Sequence, residues 1–209
     1  MLFFLCKNID RIILLRIRRV KLLLHEKILI IMQDQKKGKV YQNLFLNSGF
    51  KTALLTDDPF KGIRILRTQE IQLILLDDTF QGMSFKQFAD VIDYENLGAI
   101  IILGTDSLPS LQDFPPSVYG ILNTPVSREM LLNSARMAIR QYKINTRLKE
   151  ELKDLRKKLS DKKVIDQAKF FLMDKYKIDE SQAYDRLRKV SMDKRVSIRK
   201  LAESIISEK

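Results

Sequence analysis

Gln72-Leu73-Ile74-Leu75-Leu76-Asp77 is the stretch on which the fold turns. A continuously apolar run this short suits a strand buried on both faces, and its closing carboxylate marks where that strand leaves the core. Four other runs share its character: Lys27-Ile-Leu-Ile-Ile-Met32, Phe50-Lys-Thr-Ala-Leu-Leu55, Ala99-Ile-Ile-Ile-Leu103 and Val118-Tyr-Gly-Ile-Leu122. Helical segments separate them. Val40, Leu44 and Leu46 mark one, closed by Gly49. Asp57, Asp58 and Pro59 open a second through Ile63, Ile65 and Leu66, with Asp as cap and Pro in the first turn. A third covers 84–94, and Pro125 with Ser127 starts a long one. Five strand–helix alternations predict an α/β domain with a parallel sheet and helices on both faces. Any site in such a domain is expected beyond the carboxyl ends of its strands.

Composition narrows the chemistry. Among 209 residues there are one cysteine (Cys6), one histidine (His25) and no tryptophan. An internal disulfide framework and a cysteine-rich zinc site are excluded, and Cys/His catalysis has almost nothing to work with. No metal, cofactor or enzymatic activity is expected. The net charge of +12 is unevenly spread: residues 1–27 carry +5, residues 28–146 are neutral and residues 147–209 carry +7. A basic end suits a polyanionic partner, since clustered Lys and Arg gain from counterion release at phosphates. The alternative is a solvated helical surface.

Residues 1–26 form a basic, apolar leader. No uncharged run there approaches a membrane span, so no stable membrane insertion is expected, and no small-residue cleavage site follows an apolar core. Leu5, Ile9, Ile12, Arg16 and Val20 follow helical spacing. The segment reads either as a basic amphipathic helix lying on a membrane or as a mis-assigned translation start, the folded pattern beginning at Lys27.

With Gln81-Gly82-Met83 following it, the 72–77 stretch resembles the third strand and phospho-accepting aspartate of response-regulator receiver domains, which have the flavodoxin-like (βα)5 fold. The resemblance implies that Asp77 occupies the phospho-acceptor position. Other family positions differ. Met32-Gln33 stands where an acidic pair ends the first strand, with Asp34 one place late. Gly104 replaces a Ser/Thr, with Thr105 after it, and Thr124 rather than Lys precedes Pro125. A bound Mg²⁺ needs several oxygen ligands and a phosphoryl group needs nearby positive charge. Asp77 looks nearly alone, and the domain (27–143) reads as a pseudo-receiver that docks or dimerises. The plainer reading of Asp77 and Asp78 is a pair of solvated carboxylates.

Beyond it, Leu148, Leu152, Leu155 and Leu159 recur at spacings of four, three and four, flanked by charged residues. This is an a/d seam, and residues 144–160 read as a coiled-coil linker that dimerises the chain. The alternative is a stripe packed on its own domain, because the seam is shorter than three heptads. Residues 161–209 then read as a three-helix bundle. Val164, Ile165, Ala168, Leu172, Met173, Ala183, Leu187, Val190, Ile198, Leu201, Ala202 and Ile205 form its core, and Asp179 with Gln182 forms a capping box.

The segments Val164-Ile-Asp-Gln-Ala-Lys169-Phe-Phe-Leu-Met173, Ala183-Tyr-Asp-Arg-Leu-Arg188, Ser191-Met192 and Leu201-Ala202 resemble, in order and spacing, the ANTAR domain of AmiR/NasR-type transcription antiterminators. Lys162 stands where Arg is usual and Phe170 where Gly is usual. The resemblance implies a cytoplasmic dimer, part of a two-component system, that binds paired stem-loops in a leader transcript and prevents terminator formation. It carries RNA contact onto Lys162, Lys169, Arg188, Ser191, Arg195 and Arg199, with Ala168 small enough to admit RNA. The competing reading is a DNA-binding response regulator controlled by phosphorylation at Asp77. A partner protein or sensor kinase could regulate either. Incubation with Mg²⁺ and a small phosphodonor is expected to leave Asp77 unmodified, and a stable, Asp77-dependent mass gain of one phosphoryl group would overturn this.

Overall fold

The computed structural model describes residues 26–77, 81–104 and 110–207. Residues 1–25 of the leader, including Cys6 and His25, lie outside these residues, as do Asp78 and Thr105, whereas Glu26 is described and is buried in the first unit. The chain divides into two compact units, one ending at Thr146 and one beginning at Arg147.

In the first unit, β1 (Lys27–Ile31), α1 (Gln35–Leu46), β2 (Thr52–Thr56), α2 (Pro59–Thr68), β3 (Leu73–Asp77), α3 (Phe85–Glu95), β4 (Ala99–Gly104) and β5 (Val118–Asn123) precede α4 (Arg128–Tyr176). The strands form one sheet in the order β2-β1-β3-β4-β5, every neighbouring pair parallel. This is the flavodoxin-like order, and its topological switch point lies between β1 and β3. Strand alternation divides the core into two layers. Ile28, Ile30, Leu73, Leu75, Ile101 and Leu103 pack with Phe45 of α1 and Leu131, Ala135 and Ile139 of α4. Leu29, Ile31, Ile74, Leu76, Ile100 and Ile102 pack with Ile63 and Leu66 of α2 and Phe88 and Ile92 of α3. Both faces of β3 are thus dry, as its unbroken apolar run requires.

Local chemistry sets the helix ends. Asp58 caps α2 by accepting from Phe60 N–H at 2.8 Å, with Pro59 at the first position. Ser84 and Gln87 form a reciprocal capping box at the start of α3, which ends on the left-handed Asn96.

Three local expectations are corrected. Strand β2 begins at Thr52 rather than Phe50, because Phe50 is buried and packs edge-on against Phe45, ring centroids 5.2 Å apart. Val40 and Leu46 of α1 are exposed. The face turned to the sheet instead carries Gly38 and Phe45, where a side chain on Gly38 would meet Leu55 Cδ1 at 2.5 Å. Met130 is exposed, and the buried stripe of α4 starts at Leu131.

In the second unit, residues of α4 pack with α5 (Glu180–Asp193) and α6 (Ile198–Ser207) around Ala168, Leu172, Ala183, Leu187, Leu201 and Ala202. Asp179 and Gln182 form the expected capping box of α5. Leu148, Leu152, Leu155 and Leu159 are 48–64% exposed, so the leucine stripe is not buried against the chain's own helices.

Phe45→Ala should remove the side chain that closes one core layer against α1. A loss of ~3–5 kcal/mol is expected for a large buried aromatic, read by urea unfolding of the full chain.

Candidate functional sites

Two places gather polar chemistry. The first is the carboxyl edge of the sheet at the β1/β3 switch point. Asp77 ends β3 with its side chain 1% exposed, and Lys37 Nζ donates to its Oδ2 at 2.8 Å. Lys37 comes from the first turn of α1, and Gly38 beside it lets that helix lie close against β2. Asp34 is committed to the N-cap of α1, accepting from the N–H groups of Lys36 and Lys37 at 2.9 and 3.1 Å. The Gln33 amide donates to the Asp57 carbonyl at 3.0 Å, and Met32 is fully buried. At the neighbouring strand end, Thr124 N–H donates to the Gly104 carbonyl at 2.8 Å. One turn beyond Lys37, burial pushes the Tyr41 phenol up, with Lys37 pulling it down and Asp77 adding a smaller upward push. Among the described residues no three acidic, histidine or cysteine side chains gather as a metal site.

The reading of Asp77 as nearly alone or solvated is corrected on both counts: it is buried, and a lysine is paired with it. Nothing local in the sequence marks Lys37 as its partner. Only the adjacency of β1 and β3, a long-range feature, brings Lys37 and Asp77 together.

The second place is the basic C-terminal unit, whose candidate contacts fall into three groups. Ala168 is fully buried in the bundle core, and Ser191 is buried with its hydroxyl donating to the Val196 carbonyl at 2.7 Å. Ala168 takes its expected place in the core and lets α4 approach its neighbours, while Ser191, read as an RNA contact, fastens the turn after α5.

Lys169 and Arg199 form a second group, engaged with carboxylates. Lys169 Nζ lies 2.7 Å from Asp166 and 2.6 Å from Glu180, and these hydrogen bonds, Asp166 first, hold it above the ordinary lysine range. Arg199 pairs with Glu203 at 2.8 Å and with Asp161, and its pKa is raised by Glu203 and then Asp161. Each cation thus faces two anions, so its local field is no longer positive.

Lys162, Arg188 and Arg195 are exposed and make up the third group. Arg188 has company that the sequence reading passed over. Tyr184 and Met192 lie one turn to either side of it on α5, and both are exposed. The i, i+4 spacing of Tyr184, Arg188 and Met192 was the available signal, masked because the motif was read for its positions. Elsewhere on the unit the Arg186 guanidinium lies over the Tyr176 ring, 4.0 Å from its centroid. Phe170, at the position usually Gly, is exposed on the wall of a 510 Å³ groove with Gln167, Phe171, Asp174 and Ile206.

Known proteins give the two units their likenesses. Residues 153–206 match the ANTAR domain family. No curated protein matches the chain. Among solved structures, the N-terminal domain of a response regulator/sensory box/GGDEF three-domain protein from Carboxydothermus hydrogenoformans is similar, with a TM-score of 0.51 and 21% identity over 58% of this chain and 99% of that one. A response regulator receiver domain protein from Clostridium thermocellum gives 0.51 and 19%, over 57% and 98%. The response regulator StyR gives 0.62 and 14%, over 88% and 100%. At these identities the structural likenesses establish the fold.

Ser191→Ala leaves the Val196 carbonyl without its hydroxyl donor. We expect this variant to lose ~0.5–1.5 kcal/mol of stability in the second unit by chemical denaturation, the net worth of one hydrogen bond, because Val196 is exposed and water can replace the lost donor.

Proposed function

We propose that this chain, an ANTAR protein with a receiver-fold domain, is a non-enzymatic regulator of transcription antitermination that binds paired stem-loops of a leader transcript as a dimer and keeps a terminator hairpin from forming. The observation that carries this is the exposed Tyr184-Arg188-Met192 stripe on a unit with a charge of +7, matched to the ANTAR family. RNA loops offer unpaired bases that stack on aromatic or guanidinium faces, while Lys and Arg hold the phosphates. Arg188, Arg195 and Lys162 are the primary contacts. Lys169 and Arg199 are secondary, because a phosphate must first displace their carboxylates.

The leucine stripe supports dimerisation. With Leu148 and Leu155 at d, and Leu152 and Leu159 at a, Glu151 falls at g and Arg156 at the following e position. A parallel pair sets these opposite charges across the seam. Burying each exposed leucine contributes roughly 1.5–3 kcal/mol. Two basic modules held together engage adjacent hairpins at high effective concentration. The working division is 27–143 for docking, 144–160 for dimerisation and 161–209 for RNA.

Such a protein acts in the cytoplasm on nascent RNA, under a regulatory protein or sensor kinase, and needs no cofactor. No helix of the described residues is long and apolar enough to cross a membrane.

Filter binding should show a two-hairpin leader RNA retained more tightly than duplex DNA at matched salt. Arg188→Gln with Lys162→Gln should weaken RNA retention at least ~10-fold and flatten its salt dependence, with the dimer intact by light scattering. Equal affinity for RNA and DNA, or unchanged retention in the double variant, would overturn the reading.

A further inference from the structure

We propose that Lys37 is a built-in counter-ion that takes the place of a divalent cation at Asp77, so that the carboxyl edge of the sheet holds one state without metal or phosphodonor. The inference rests on the geometry of the first unit alone and is independent of the RNA reading.

Among the described residues, the donor set around Asp77 does not fit a divalent cation. Such an ion needs about six oxygen ligands, with carboxylates supplying the charge. Asp34 and Asp58, the acidic residues that end the neighbouring strand–helix junctions, are spent as helix caps. Gln33 is turned to the Asp57 carbonyl, and Met32 presents no oxygen from its side chain. Into this space comes an ammonium, 2.8 Å from Asp77 Oδ2. One positive charge neutralises one negative charge. A dication would have to displace the lysine or sit beside it.

Burial makes the lysine necessary. The Asp77 side chain is 1% exposed while that of Lys37 is 36% exposed, so the carboxylate cannot turn to water but the ammonium can. A buried carboxylate that loses a neutralising cation is strongly destabilising, far beyond the value of an exposed pair. Asp77 Oδ2 is held as an acceptor in a charge-assisted hydrogen bond. Lys37 is thus a positioning residue: it ties the start of α1 to the end of β3, the two elements that flank the switch point. Signals that reach this domain then arrive through its surfaces and not through Asp77.

The test uses the full chain and thermal unfolding of its first unit. The parent melting temperature should not move with millimolar Mg²⁺ or with added acetyl phosphate, and Mn²⁺ should keep its free-ion paramagnetic resonance spectrum in the presence of the protein. Lys37→Met should lower the melting temperature by about 5 °C or more. Adding Asp77→Asn to Lys37→Met should recover most of that loss, because the orphaned charge is gone. Lys37→Met as stable as the parent, no recovery in the double variant, or a Mg²⁺-dependent rise in the parent would each overturn the proposal. Should Lys37→Met fail to fold, Lys37→Met/Asp77→Asn and the Mn²⁺ titration of the parent still decide it.

Discussion

Everything in the first unit follows from the burial of β3 on both faces. Leu73 through Leu76 are wholly inaccessible, held between β1 and β4 in the sheet and between the two helical layers. A strand so enclosed can end only at an edge where polar groups converge, and the first polar side chain after it is Asp77. That carboxylate still has one flank in the core, so water alone cannot satisfy it. The sheet order brings β1, and hence the first turn of α1, to its side, and Lys37 supplies the charge. Burial, topology and ion pair are one chain of necessity.

The second unit obeys the same logic with the signs reversed. Its core contains three alanines, Ala168, Ala183 and Ala202, so its helices pack closely and little room remains inside for long side chains. The Lys and Arg residues are driven to the surface, where some find carboxylates and others do not. Lys169 and Arg199 are bound to acids on adjacent turns or helices, while Lys162, Arg188 and Arg195 face solvent. Net charge alone overstates the positive field wherever the acids sit beside the bases.

The sequence disclosed what is local and concealed what is not. All five strands were legible because a short apolar run is a sufficient condition for a strand in a two-sided core. The helix starts at Pro59, Phe85 and Glu180 were legible because capping is written within four residues. The rotation of α1 was not: Val40 and Leu46 look like core residues, but the close approach at Gly38 and the ring pair of Phe45 and Phe50 fix which side faces the sheet. The Lys37–Asp77 pair was invisible because forty positions separate its members. Ala168, read both as core and as a point of RNA approach, and Ser191, read as an RNA contact, are both placed in the packing of the bundle. A family motif marks residues that are needed, and packing needs residues as surely as binding does.

The division of charge between the units now has a physical meaning. In the first unit, whose residues 28–146 carry no net charge, three acids are used locally, as caps at Asp34 and Asp58 and as the partner of Lys37 at Asp77. With acids and bases equal in number, that stretch offers no net positive field to draw polyanions from a distance. The second unit keeps an excess of cations over such local pairs, and at least three stand clear of its core. Long-range attraction of phosphate depends on that uncompensated remainder, because paired charges cancel within a Debye length of about 8 Å in physiological salt. On the proposed function, an electrostatic search for RNA would belong to the C-terminal unit, and Arg188, standing between Tyr184 and Met192, would be where it ends in contact with a base.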